Sequence, residues 1–154
     1  MSMDTRGSGG LELLLLFILF VSGALNVCAE VVVLTDASFS DKVKEPDTTW
    51  FIEFFAPWCG HCKRLAPIWE ELGKAIEADD GVEIGQVDCT TNKPTCEKAG
   101  VRSYPTLKLF YNGEEQKKYS GPRDVESLKA FAVEGAAEFA KGIFKEPEAL
   151  NKQS

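Results

Sequence analysis

The chain has 154 residues, with 17 Lys and Arg against 24 Asp and Glu, a formal charge of −7 and 44% hydrophobic residues. An acidic surface of this kind is repelled by phosphate backbones, which argues against a nucleic-acid binder, and the composition suits one soluble domain with an ordinary packed core. No internal repeat or low-complexity block interrupts it.

The N-terminal stretch stands apart from that domain. An apolar block at residues 13–21 follows a polar, Gly-rich start and precedes Ser22-Gly23-Ala24 and Val27-Cys28-Ala29, a small-residue cleavage pattern. The block is shorter than the ~20 residues a membrane span needs, so residues 1–29 read as a secretory signal peptide, with Arg6 offset by Asp4 in its leading segment. Cleavage after Ala29 removes Asp4, Glu12, Arg6 and Cys28, leaving 22 acidic and 16 basic residues, a formal charge of −6 and four cysteines. An even cysteine count in a chain sent to an oxidising compartment pairs as Cys59 with Cys62 and Cys89 with Cys96. No membrane segment remains after cleavage.

In the mature chain, Val-rich residues 30–34 predict a first strand, and Thr35, Asp36 and Ser38 supply capping groups for a short helix reaching about Val43. After a turn, residues 50–56 are apolar nearly throughout, as a strand buried on both sheet faces should be. Glu53 interrupts that run. A carboxylate between Ile52 and Phe54 is costly to bury in ionised form, so either it faces a solvated edge or its pKa is raised for a purpose. Its place on the strand leading to two cysteines favours the second reading, a proton acceptor for the inner thiol.

By itself Cys59-Gly60-His61-Cys62 is compatible with half a zinc site or an inert bridge. Here the pair follows an apolar strand and opens a helix over about 59–78, with Leu65, Ile68, Trp69, Leu72 and Ile76 on one face. Unpaired N–H groups and the positive end of the macrodipole favour a thiolate at Cys59, which makes it the nucleophile. Cys62 falls one turn on, within bridging reach. Pro67 should bend the helix. Residues 82–88 predict a third strand, 92–99 a short helix, 106–111 a fourth strand that Asn112-Gly113 turns into a fifth ending near Tyr119, and 123–134 a last helix. Six residues separate Cys89 from Cys96, room for a turn that closes a structural bridge, with free thiols as the alternative. The order βαβαβαββα gives an α/β fold with a mixed central sheet flanked by helices. Residues 135–154 are left as a tail ending Asn151-Lys152-Gln153-Ser154, which is not a Lys-Asp-Glu-Leu type retrieval signal.

The run Glu53-Phe54-Phe55-Ala56-Pro57-Trp58-Cys59-Gly60-His61-Cys62 resembles the active-site stretch of protein disulfide isomerases, and Gly60-His61, where thioredoxins carry Gly-Pro, favours that branch. Val87-Asp88-Cys89-Thr90, Cys96 and Gly100-Val101-Arg102-Ser103-Tyr104-Pro105-Thr106 are similar to segments of endoplasmic reticulum thioredoxin-domain proteins. The resemblance implies a thioredoxin fold over residues 30–134. It also implies that Glu53 takes the proton of Cys62, and that Pro105 is cis and faces the redox pair. Tyr104 then offers backbone groups to a bound peptide, and Trp58 joins this substrate-binding set. Arg123 is either a solvated residue in the first turn of the last helix or the arginine that approaches Cys62 and lowers its pKa. His61 between the cysteines would stabilise the Cys59 thiolate, and so the reduced form, through partial positive charge. One position departs from the family pattern: Gln86 stands where isomerases carry a lysine that partners the buried glutamate, which leaves Glu53 harder to ionise.

The expected activity is thiol-disulfide exchange on unfolded or misoxidised secretory proteins by a monomer in the endoplasmic reticulum lumen. An upstream oxidase or glutathione would recharge the pair, with no metal or dissolved cofactor. The alternatives are a secreted thioredoxin-like reductase, a non-catalytic peptide-binding chaperone module, and a zinc module using all four mature cysteines.

Overall fold

The computed structural model describes residues 30–143, so the signal-peptide reading, Cys28 and residues 144–154 of the tail lie outside the described residues. The elements are β1 (Val32–Val33), α1 (Phe39–Lys42), β2 (Thr49–Phe55), α2 (Gly60–Ala75), β3 (Val82–Asp88), α3 (Lys93–Lys98), β4 (Thr106–Tyr111), β5 (Glu114–Lys118) and α4 (Val125–Ala140). They form the expected mixed sheet in the order β1-β3-β2-β4-β5. β2 and β3 run parallel, as do β1 and β3, while β4 is antiparallel to both β2 and β5.

β2 is the axis of the molecule because its side chains are buried on both faces. Trp50, Ile52 and Phe54 enter a cluster with Leu34, Val43, Val87, Phe110 and the second cysteine pair. Phe51 enters the opposite cluster, with Leu65, Trp69 and Leu72 of α2, Leu107 and Leu109 of β4, and Leu128 and Phe139 of α4. The period-2 alternation of a strand thus feeds two cores at once. Each fully buried large apolar side chain contributes about 1.5–3 kcal/mol.

Several element ends differ from the expected ones. β1 is confined to two residues at the sheet edge, although the Leu34 N–H still reaches the Gln86 carbonyl at 2.9 Å. α2 stops at Ala75 rather than near Ala78, because Ile76 turns extended and the Asp80 carboxylate takes the Glu77 N–H at 2.9 Å. α2 is otherwise continuous through Pro67.

The largest difference is the last helix, which runs on to Ala140 instead of ending at Glu134. Gly135 has the composition of a helix stop, yet it lies inside α4 and serves packing. A Cβ there would come within 2.5 Å of the Leu109 side chain, so the missing side chain lets α4 settle onto β4. The helix ends instead just before Gly142, whose φ of +77° is the left-handed conformation glycine tolerates.

Candidate active site

β2 delivers the chain to the rim of the sheet, and the Cys59 N–H closes a turn onto the Ala56 carbonyl at 3.1 Å. Cys59 thereby becomes the N-cap of α2, its sulfur accepting the Cys62 N–H at 3.2 Å. An N-cap acceptor normally satisfies one of the orphan N–H groups of the first turn, and here a sulfur fills that position.

Both sulfurs are free thiols, with Cys59 7% and Cys62 4% exposed. They share one environment and titrate in opposite directions. Burial disfavours the Cys59 thiolate, but the Cys62 thiol and the backbone N–H groups of Cys62 and His61 hydrogen-bond to it, and they outweigh burial and the repulsion of Glu53. Its pKa therefore lies below the ordinary thiol value. At Cys62, burial and the hydrogen bond to Cys59, reinforced by the nearby charges of Cys59 and Glu53, push the pKa up to about 12. A backbone contact from Ala56 opposes this only in part.

Glu53 is 3% exposed, on the face of β2 that also carries Phe51. Its in-register neighbours are Gln86 on β3 and Leu107 on β4, so the residue that departs from the family pattern stands beside it. Burial raises its pKa to about 7, with the Arg123 charge pulling it down and the Glu70 carboxylate pushing it further up. The Arg123 charge thus acts on Glu53. The reason lies in its placement: Arg123 precedes α4 and lines a hollow of about 200 Å³ with Pro105, Tyr119 and Leu107, the strand neighbour of Glu53.

The Tyr104–Pro105 peptide bond is cis, as the resemblance implied, and the Tyr104 carbonyl accepts from the Cys59 thiol at 3.6 Å. Trp58 is 70% exposed and meets the Tyr104 ring edge-to-face, with centroids 5.9 Å apart at 82°. An exposed indole beside the nucleophile and a backbone carbonyl facing it form an open ledge rather than a closed pocket.

Arg64 Nη2 lies 2.9 Å from His61 Nδ1, and a guanidinium can only donate, so Nδ1 accepts and the ring proton sits on Nε2. What His61 supplies to Cys59 is its backbone N–H. Gly60 leaves room beside this pair, since Arg64 Nη1 would lie 3.9 Å from a Cβ there. No motif singles out Glu70; Arg64 is legible as one of two basic residues, with Lys63, that directly follow the cysteines, and by its helical spacing from His61.

Cys89 and Cys96 are bridged, with Cα atoms 5.7 Å apart. That removes two of the four thiolates a zinc module would need, and among the described residues no group of three or more His, Cys, Asp or Glu could hold a metal ion. No helix among the described residues is long and apolar enough to cross a membrane.

Residues 30–134 match the family described as Thioredoxin. Protein disulfide-isomerase 5-1 of Arabidopsis thaliana is 55% identical over 130 residues, covering 84% of this chain and 88% of that protein. Protein disulfide isomerase-like 5-1 of Oryza sativa subsp. japonica is 54% identical over 122 residues, covering 79% of this chain and 83% of that protein. The crystal structure of the J-Trx1 fragment of ERdj5 resembles the chain with a TM-score of 0.65 at 36% identity, covering 71% of this chain and 53% of that one.

Proposed function

The chain belongs to the protein disulfide isomerase family of thioredoxin-domain proteins, and we propose that Cys59 and Cys62 carry its thiol-disulfide exchange, with Glu53 moving the proton between them and solvent. The observation that supports this most is the opposed titration of two sulfurs one helical turn apart. The first turn of α2 holds the outer thiol below the ordinary thiol value, and burial with the hydrogen bond to Cys59 pushes the inner one up to about 12.

In oxidation, a client thiolate attacks Cys59 Sγ of the Cys59–Cys62 bridge. The S–S bond breaks, its electron pair goes to Cys62 Sγ, and Cys62 takes up a proton. A second client thiolate then attacks the client sulfur of the mixed disulfide and expels Cys59, a good leaving group because its pKa is depressed. In isomerisation, the Cys59 thiolate attacks a client disulfide, and Cys62 resolves adducts that stall.

Resolution needs Cys62 deprotonated. From the dithiol state, transfer to Glu53 is several kcal/mol uphill, given pKa values of about 12 and about 7. Two of the causes that raise Cys62, the hydrogen bond to Cys59 and the Cys59 charge, disappear once Cys59 is tied up in a mixed disulfide. Formation of the adduct therefore brings Cys62 toward the range of Glu53, and the base acts when it is needed. With Gln86 in place of a cation beside it, Glu53 changes charge near neutrality and can both take and return that proton.

Tyr104, Pro105 and Trp58 form the ledge for the client chain, and Arg123 tunes Glu53. The clients are unfolded or misoxidised secretory proteins in the endoplasmic reticulum lumen, a reading supported by the leader pattern at residues 1–29 and by the Cys89–Cys96 bridge, which needs an oxidising compartment. The test is refolding of a scrambled-disulfide substrate. Cys59→Ser should abolish both oxidation and reshuffling, whereas Cys62→Ser should accumulate mixed disulfides on Cys59; activity surviving Cys59→Ser overturns the mechanism.

A further inference from the structure

The Cys89–Cys96 bridge lies close to the client ledge. Tyr104 packs against two clusters at once, one holding Cys59, Cys62 and Ala56, the other holding Cys89 and Cys96. Its ring therefore sits where the environments of the two cysteine pairs meet.

The backbone connects them as well. The Cys89 N–H bonds to the Phe55 carbonyl at 2.9 Å, next to Ala56, whose own carbonyl holds the Cys59 turn. Cys96 lies in α3, and its carbonyl accepts the Val101 N–H at 2.9 Å, which starts the loop running to Tyr104. The same loop has a second anchor, because the buried Lys108 ammonium donates to the Ala99 carbonyl at 2.6 Å and to Glu115 at 2.6 Å. Past these anchors, the Thr106 hydroxyl donates to the Ser103 carbonyl at 2.7 Å. The Tyr104 carbonyl, 3.6 Å from Cys59 Sγ, hangs from this loop.

We propose that the Cys89–Cys96 bridge, with Lys108 as its partner anchor, holds the Tyr104 ledge in register with Cys59 and so positions the client peptide. Neither Cys89, Cys96 nor Lys108 touches the exchanging sulfurs; all three are positioning residues, and the proposal rests on the reading of Tyr104–Pro105 as the ledge. Without the bridge, α3 keeps its short backbone link to β3 and the hydrogen bonds of Asn92 to the Asp88 carbonyl and of Thr95 to Asp36, but the loop gains freedom that must be given up when a client binds. Ordering a loop and one aromatic side chain at the moment of binding weakens affinity while leaving the bound chemistry alone.

The test is steady-state exchange with a peptide disulfide, measured well below the melting temperature, together with the glutathione equilibrium of the Cys59–Cys62 couple. The Cys89→Ala/Cys96→Ala double variant should raise KM by about three- to tenfold with kcat within about twofold, and leave the glutathione equilibrium constant within about twofold of wild type. Lys108→Met, which touches no cysteine, should raise KM in the same direction and decides the matter if the double variant does not fold. KM unchanged in folded variants, or a fall in kcat or a shift in the glutathione equilibrium at constant KM, overturns the positioning role. Wild-type protein without Cys59-dependent turnover would instead remove the exchange reading on which the proposal stands.

Discussion

Replacing Glu53 by Gln isolates the energetic consequence of burying this carboxylate. Its folded-state pKa of about 7 lies above the ordinary 4.5, chiefly through burial. A group raised in this way contributes its full stability below the unfolded value and loses it as the pH climbs through the folded one. Between about pH 4.5 and about pH 8 the wild type should therefore lose roughly 3 kcal/mol relative to Glu53→Gln, from about 1.36 kcal/mol for each pH unit separating the two pKa values. Groups that titrate alike in both proteins cancel in the difference. Urea unfolding of the oxidised forms, in which neither active-site sulfur titrates, is the assay. With a slope of about 1–3 kcal/mol per molar, the midpoint of the variant should gain on that of the wild type by at least about 1 M across this range. A stability gap that is the same at both pH values would refute the assignment of a buried, late-ionising carboxylate at this position.

Gln86→Lys should place an ammonium beside Glu53 on β3 and move the pH at which that stability gap opens downward by about one unit or more; paired titrations of the single and double variants with Glu53→Gln measure it. Phe139→Ala should destabilise the domain by about 3–5 kcal/mol in denaturant unfolding, because Phe139 is buried against Tyr111 near the end of α4, in a stretch first read as tail.

The element order and the strand-to-helix placement of Cys59 and Cys62 are local properties, and they were legible as such. A run apolar but for Glu53 is long enough to mark β2, and the two-residue spacer puts Cys62 on the first helical turn. The bridge between Cys89 and Cys96 was legible from spacing and an even cysteine count. The end of α4 was not legible, because Gly135 and Gly142 look alike in sequence, and only the distance to Leu109 tells a packing glycine from a stop. The sources of charge at the site were also beyond local reading. His61 pairs with a guanidinium one turn along, and Arg123, just before α4, reaches the electrostatic environment of Glu53 because α4 packs across β2 in the fold. Such pairings arise from tertiary placement, which no window along the chain contains.

Exchange depends on one asymmetry, an acidic outer thiol and a reluctant inner one within the same turn. Alkylation of the reduced protein by iodoacetamide as a function of pH, with each adduct mapped by mass spectrometry, measures both sulfurs in one experiment. Cys59 should react with a midpoint below the ordinary thiol value of 9.0, and Cys62 should carry label only on molecules already labelled at Cys59, since in the dithiol its pKa is about 12. A common midpoint near the ordinary value, or earlier labelling of Cys62, would contradict it.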